Sequence, residues 1–249
     1  MSSLQAQSVQ WVQQNPTTYP SQRCCPGMAF DPVDASSVLF SGSYSGGGGT
    51  SNDMWLWHKT WYFITPTSSP SARKGAGMAL DIAANNIVLF GGTDSSGNPL
   101  NDTWIWNGLT WVQQFPPVSP PPRRFDAQGM VYDDATKQVV LFGGTNGSSY
   151  LGDTWSWNGV TRTWIENFPA TTPSPRRTVL AFDYAAGNVV LFGGDDAAGQ
   201  LGDTWIWDGV NWTELFPPAS PSPRSMGAFA WDASLRRVVL SAARLTTSI

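Results

Sequence analysis

Val139-Val140-Leu141-Phe142-Gly143-Gly144, then Gly152-Asp153-Thr154-Trp155-Ser156-Trp157-Asn158-Gly159, then Thr163-Trp164, is the stretch on which the reading of this chain turns. Its first run is continuously apolar, as expected of a strand buried on both faces. In Thr-Trp-x-Trp the two indoles stand at i and i+2, which on a strand puts them on one face. Asn-Gly before the last tryptophan is a strong short-range hairpin signal.

Working outward, the same pattern recurs at about 50 residues. The following copy has Val189 to Gly194, Gly202-Asp203-Thr204-Trp205-Ile206-Trp207-Asp208-Gly209 and Asn211-Trp212. The preceding copy has Ile87 to Gly92, Asp102-Thr103-Trp104-Ile105-Trp106-Asn107-Gly108 and Trp111. A worn copy has Val38-Leu39-Phe40, Asp53-Met54-Trp55-Leu56-Trp57 and Trp61, with Ser41-Gly42 in place of Gly-Gly. Each unit also opens with a short apolar run ending in Asp: Met28 to Asp31, Met78 to Asp81, Met130 to Asp133 and Leu180 to Asp183. Four strand-like pieces per unit result, and proline-rich stretches such as Ser119-Pro120-Pro121-Pro122 separate the units because proline cannot continue a ladder.

A four-stranded antiparallel unit of this length resembles the blade of the kelch repeat family, with its apolar run into Gly-Gly and two aromatic landmarks downstream. The resemblance covers nearly the whole chain. It departs in using Trp where many kelch repeats use Tyr, a variant associated with bacterial members. The fold it implies is all-β: a β-propeller of four-stranded antiparallel blades. All tryptophans but Trp231 fall on pieces three and four, so packing between blades is the expected role for them, with sugar stacking as the alternative.

Residues 1–249 are read as one propeller with blades at about 22–66, 72–116, 123–169 and 176–217, plus a composite fifth blade from 224–249 and 9–15. The fifth unit has Ala228-Phe229-Ala230-Trp231-Asp232 and Val238-Val239-Leu240, then loses the pattern, while Gln10-Trp11-Val12-Gln13-Gln14-Asn15-Pro16 copies a fourth piece with nothing before it. Joining the two ends covers strand edges that would otherwise invite association. An open fragment, or a ring completed in an oligomer, is the alternative, since six or seven blades are usual in the family.

Composition narrows the function classes. Charged residues make up 13% of the chain, about half the ordinary share. The net charge is −4 and no Lys/Arg block occurs, which argues against nucleic acid as partner. No apolar stretch approaches the ~20 residues of a membrane helix, and Met1 to Gln10 lacks the features of a signal peptide. Compartment stays open, with a lean to secreted or cell surface. Cys24 and Cys25 are adjacent and read as two buried thiols, with a strained vicinal disulfide or a reactive pair as alternatives.

No catalytic constellation emerges. Galactose oxidase-type propellers have a similar repeat, but their copper site takes two histidines, and this chain has only His58, in a turn. Neither sialidase-type boxes nor a Gly-x-Ser-x-Gly elbow is present. The acidic loops Asp94 to Asn98 and Asp195 to Gly199 lack the ligand count of a calcium loop and read as turns. No cofactor or metal is expected, and an enzyme is the disfavoured reading.

Arginine recurs just before each first strand: Arg23, Arg73, Arg123 with Arg124, Arg176 with Arg177, and Arg224. A position repeated around a ring becomes a ring, so these turns should circle one channel mouth beside loops 42–52, 93–101, 145–152 and 195–202. Two readings are open. Either the guanidinium groups bind an anionic or carboxylate ligand, or they pair with Asp53, Asp102, Asp153 and Asp203 and hold the blades together. The function expected is a non-catalytic module binding a protein or acidic peptide at that mouth, with carbohydrate binding as the alternative.

Overall fold

The computed structural model describes residues 12–46, 49–126 and 128–241, and contains strands and turns with no helix among them. The first blade is built from β1 (Arg23–Cys24), β2 (Gly27–Asp31), β3 (Ser36–Tyr44), β4 (Thr50–Trp57) and β5 (Trp61–Ile64). The second has β6 (Gly77–Asp81), β7 (Asn86–Phe90), β8 (Thr103–Trp106) and β9 (Trp111–Gln114). The third has β10 (Met130–Asp133), β11 (Gln138–Phe142), β12 (Thr154–Asn158) and β13 (Thr163–Asn167). The fourth has β14 (Arg177–Asp183), β15 (Asn188–Asp196), β16 (Gly199–Trp207) and β17 (Trp212–Leu215). A hairpin of β18 (Phe229–Asp232) and β19 (Arg237–Leu240) follows. Each complete blade is an antiparallel meander, in which Leu89, for example, stands opposite both Met78 and Trp104.

The second strands are the buried centre: every residue of Val139-Val140-Leu141-Phe142 is sealed from solvent. The last tryptophan of the second, third and fourth blades leans on the blade before it. Trp111 meets Phe40, Trp164 meets Phe90 and Trp212 meets Phe142, with ring centroids 5.2, 5.2 and 5.1 Å apart. Trp164 and Trp212 each also donate Nε1–H across the boundary, to Thr103 and Thr154 at 2.9 Å. In the worn first copy that threonine is Met54, and Trp111 Nε1 is buried with no partner. Large buried aromatics thus glue blade to blade, at a gross gain of roughly 4–6 kcal/mol per indole from area alone.

One local expectation is refined. The Asn-Gly and Asp-Gly turns are not two-residue hairpins, because Trp106 faces Trp111 across residues 107–110. Asn107 Oδ1 accepts the amides of Leu109 and Thr110, so the asparagine closes the turn with its side chain. The aspartate ending each first strand works similarly: Asp133 Oδ1 accepts from Ala135 and Thr136, and Asp183 from Ala185 and Ala186.

The first strands β2, β6, β10, β14 and β18 stand side by side in that order around a central channel. Among the described residues, no comparable packing joins β18 to β2. The expected closing strands fall largely on residues 1–11 and 242–249, outside the described residues. Val12 to Asn15 are described and lie in no strand. Residues beyond them do repeat the linker geometry: Thr18 Oγ1 donates to the Trp61 carbonyl, as Thr171 does to that of Trp212.

Candidate functional site

The arginine turns resolve into two layers. Arg23, Arg73, Arg123 and Arg176 are almost wholly buried, and each forms an ion pair with the aspartate two residues before the first indole of its own blade's third strand: Asp53, Asp102, Asp153 and Asp203, at 2.5–2.6 Å. In the first three pairs both carboxylate oxygens are used. The same guanidinium reaches the first residue of the Gly-Gly pair, as Arg73 does at the Gly91 carbonyl, 2.8 Å away. The first indole of Thr-Trp-x-Trp completes the cluster: Trp55, Trp104, Trp155 and Trp205 donate Nε1–H to those four aspartates at 2.6–2.8 Å.

The backbone of the same arginine is tied to the preceding blade. Arg123 N–H donates to the Leu100 carbonyl at 3.0 Å, and its own carbonyl accepts from Gly92 at 2.8 Å. Arg176 repeats this with Leu151 and Gly144, and Arg224 with Leu201 and Gly194. Arg73, Arg123 and Arg176 are therefore staples, side chain in one blade and main chain in the one before. Gly-Gly follows from this. Gly91 and Gly92 have φ of +67° and +98°, and a Cβ on Gly91 would sit 2.6 Å from the Arg123 carbonyl oxygen. Ser41 takes the strained place in the first blade (φ +68°), and its hydroxyl hydrogen-bonds the Arg73 and Ser51 carbonyls.

Burial pushes the four aspartates upward in pKa, but the guanidinium hydrogen bonds and charge, with the indole, outweigh it and hold each below the usual carboxylate range. These four arginines are thereby committed to the structure and have no edge left for a ligand. Arg224 holds the Ser222 carbonyl at 2.9 Å, and no carboxylate among the described residues reaches it.

The next residue in each turn forms a second layer at the channel mouth: Cys24, Lys74, Arg124 and Arg177. Arg177 is held by Asp126 at 2.5 Å and by Asp195, which also accepts from the Tyr150 hydroxyl at 3.1 Å. Arg124 differs: its buried Nε forms an ion pair with Asp126 Oδ2 at 3.2 Å but no hydrogen bond. The Lys74 ammonium has no carboxylate partner among the described residues. Arg124, Arg177 and the 145–150 loop enclose a polar cavity of about 160 Å³. Cys24 and Cys25 are free thiols with sulfurs 3.0 Å apart; Cys24 is exposed rather than buried, because the turn presents it at the mouth. Burial, with Cys24 and Asp126 adding to it, pushes the Cys25 thiol up to about 12.

Residues 27–233 match the family model described as the KLHDC2/KLHL20/DRC7 Kelch-repeats domain. The chain belongs to the kelch repeat family. No curated protein gives a significant match to it. Kelch propellers serve in general as protein-interaction modules. In this kelch propeller, no group of three or more His, Cys, Asp or Glu side chains among the described residues could hold a metal. His58 sits exposed in its turn, and the Asp94 carboxylate is spent on the amides of Ser96 and Asn98.

The opposite mouth of the kelch channel has a different chemistry, which the sequence reading did not single out. The residue before each turn aspartate is large: Phe30, Leu80, Tyr132, Phe182 and Trp231. The residue before that is small: Ala29, Ala79, Val131, Ala181 and Ala230. Together they surround a mainly apolar cavity of about 360 Å³ inside the ring. The signal was present in the alignment of first strands, as a column of large, mostly aromatic residues beside a column of small ones, but it has meaning only once five strands share an axis.

Proposed function

We propose that this kelch propeller is a non-catalytic scaffold that docks an acidic segment of a partner protein at the arginine-side mouth, through Lys74, Arg124 and the 145–150 loop. The observation supporting this is the contrast between the two arginine layers. The buried layer is neutralised within the fold, whereas Arg124 lines a polar cavity with the 145–150 loop and the Lys74 ammonium of the same layer has no carboxylate partner among the described residues. Arg124 presents a planar fork suited to bidentate carboxylate recognition. Arg177 acts as the fixed wall of that cavity, since two aspartates hold it.

Screening the protein against arrays of acidic, neutral and basic peptides and against a glycan array tests this. Selection of acidic peptides is expected, with binding that weakens in salt and drops at least tenfold in the Lys74→Gln/Arg124→Gln double variant. Capture of uncharged glycans with no peptide selected, or acidic-peptide binding that the double variant leaves unchanged, would sink the reading.

A further inference from the structure

Among the described residues β19 pairs with β18 alone, so its outer edge offers main-chain donors and acceptors to an incoming strand. We propose that this edge docks an extended segment of a partner protein, one with a carboxylate two residues before the first of two alternate aromatics. The site shares no residue with the Lys74–Arg124 mouth, so either can fail without the other. The complete blades supply the template. Where the third blade meets the second, Val88, Ile105, Met130 and Val139 enclose Trp157 and Trp164. By strand register, the same four places between the fourth blade and the hairpin are Val190, Ile206, Phe229 and Val238. There they line an open cavity of about 560 Å³, which Asp183 also lines. Asp183 Oδ1 is taken by the amides of Ala185 and Ala186, and Oδ2 accepts no hydrogen bond among the described residues. An indole N–H can use it as Trp106 uses Asp31 Oδ2, at 2.9 Å.

Arg224 supplies the charge. Its Nε donates to the Ser222 carbonyl at 2.9 Å and an Nη to the Ser222 hydroxyl at 3.0 Å. Ser71 holds Arg73 in front of Asp102 by the same two bonds. The Arg224 guanidinium is therefore posed for a bidentate carboxylate. Residues 1–11 and 242–249 contain neither Asp nor Glu, so the terminal segments bring it no acidic side chain, and 242–249 lack an aromatic as well. A second copy of the chain has no strand to lend either. Its Asp-x-Trp-x-Trp segments, which begin at Asp53, Asp102, Asp153 and Asp203, are already paired on both sides within their own blades. A separate protein remains as the donor, its backbone on β19, its carboxylate on Arg224 and its aromatics in the groove.

The probe is a synthetic peptide with the sequence of residues 151–160, Leu-Gly-Asp-Thr-Trp-Ser-Trp-Asn-Gly-Val, titrated into the full chain. Fluorescence anisotropy should give Kd below about 100 μM, and the amides of β19 should exchange more slowly in the complex. Asp153→Asn in the peptide and Arg224→Gln in the protein should each weaken binding at least tenfold, and together no more than either alone. A peptide with serine at both tryptophans should not bind, whereas the Lys74→Gln/Arg124→Gln protein should bind as tightly as the unaltered one. No binding at about 1 mM peptide, the result if a terminal segment or a second copy fills the edge, would overturn the proposal. So would equal binding of a scrambled peptide, loss of binding in the Lys74/Arg124 double variant, or an affinity that either charge change leaves intact. If Arg224→Gln does not fold, the asparagine peptide against the unaltered protein decides alone.

Discussion

The third blade and the first blade carry nearly the same residues and live in different surroundings. In the third, Trp157 and Trp164 are sealed and Met130 is fully buried against the second blade. In the first, the equivalent Trp57 and Trp61 are half-buried, and Met28 is 48% exposed over a cavity it shares with Tyr19 and Pro16. Nothing in the blades themselves explains the difference. The third blade has a complete predecessor, while among the described residues no blade packs before the first. Burial in this fold is a property of neighbours, so a sequence motif fixes only half of its own environment.

The largest expected effect tests that directly. Deleting residues 1–20 removes the Thr18–Trp61 hydrogen bond and the cover over Trp57. Aggregation on expression, or a melting temperature lower by roughly 10 °C or more, is expected. A monomer with an unchanged melting curve would show that the N-terminal segment plays no part in closing the ring.

Single tryptophans sharpen the comparison. Trp157→Ala should cost about 3–5 kcal/mol in denaturant unfolding, the usual scale for emptying a large aromatic site. Trp57→Ala should cost less than half as much, because its indole is already partly hydrated. Equal losses would mean that the first blade is as well covered as the third.

Next come the staples. Arg123→Ala leaves Asp153 part-buried and unpaired and is expected to cost about 3 kcal/mol. Arg224→Ala, whose guanidinium has no carboxylate among the described residues, should cost under about 1 kcal/mol. Matching losses would reveal a fifth ion pair.

The smallest effect is one of pH. Asp53, Asp102, Asp153 and Asp203 have lowered folded pKa values, so each contributes stability that is complete above its unfolded value of about 3.9 and is lost as pH falls through the folded value. Stability should therefore be flat in this respect from pH 7 to about 5 and fall below about 4, with a shallower fall in Asp153→Asn. Asp81, raised by burial, works in the opposite direction and blunts the slope. A protein most stable at pH 3 would refute the assignment of these pairs.

The fold was legible because repetition is visible in one dimension: the spacing of Gly-Gly, Asp-Thr-Trp-x-Trp and the last Trp placed the strands of four blades. The pairing of Arg23, Arg73, Arg123 and Arg176 was also foreseeable as one of two outcomes, since turn and strand start share a face. What sequence could not decide was which arginine of a doublet turns inward. Arg123 and Arg176 do so because their carbonyls meet the glycine amides of the preceding blade, a contact across a boundary that spacing does not encode. The apolar cavity inside the ring was hidden for a related reason, since its members are about 50 residues apart and meet only around the axis.

The staple has a consequence for how such a chain can grow or shrink. A segment running from one arginine to the residue before the next, such as 123–175, contains its own carboxylate partner, its own indole donor and the glycines that receive the following arginine. Excising it would bring the Arg176 main chain to Leu100 and Gly92, which offer the same carbonyl and amide that Leu151 and Gly144 offered before. Recombination at the arginines thus inserts or removes a blade while restoring the main-chain staple, losing in this example only the outer Arg177–Asp126 and Tyr150–Asp195 contacts, and copy number becomes a heritable variable that selection can adjust one module at a time.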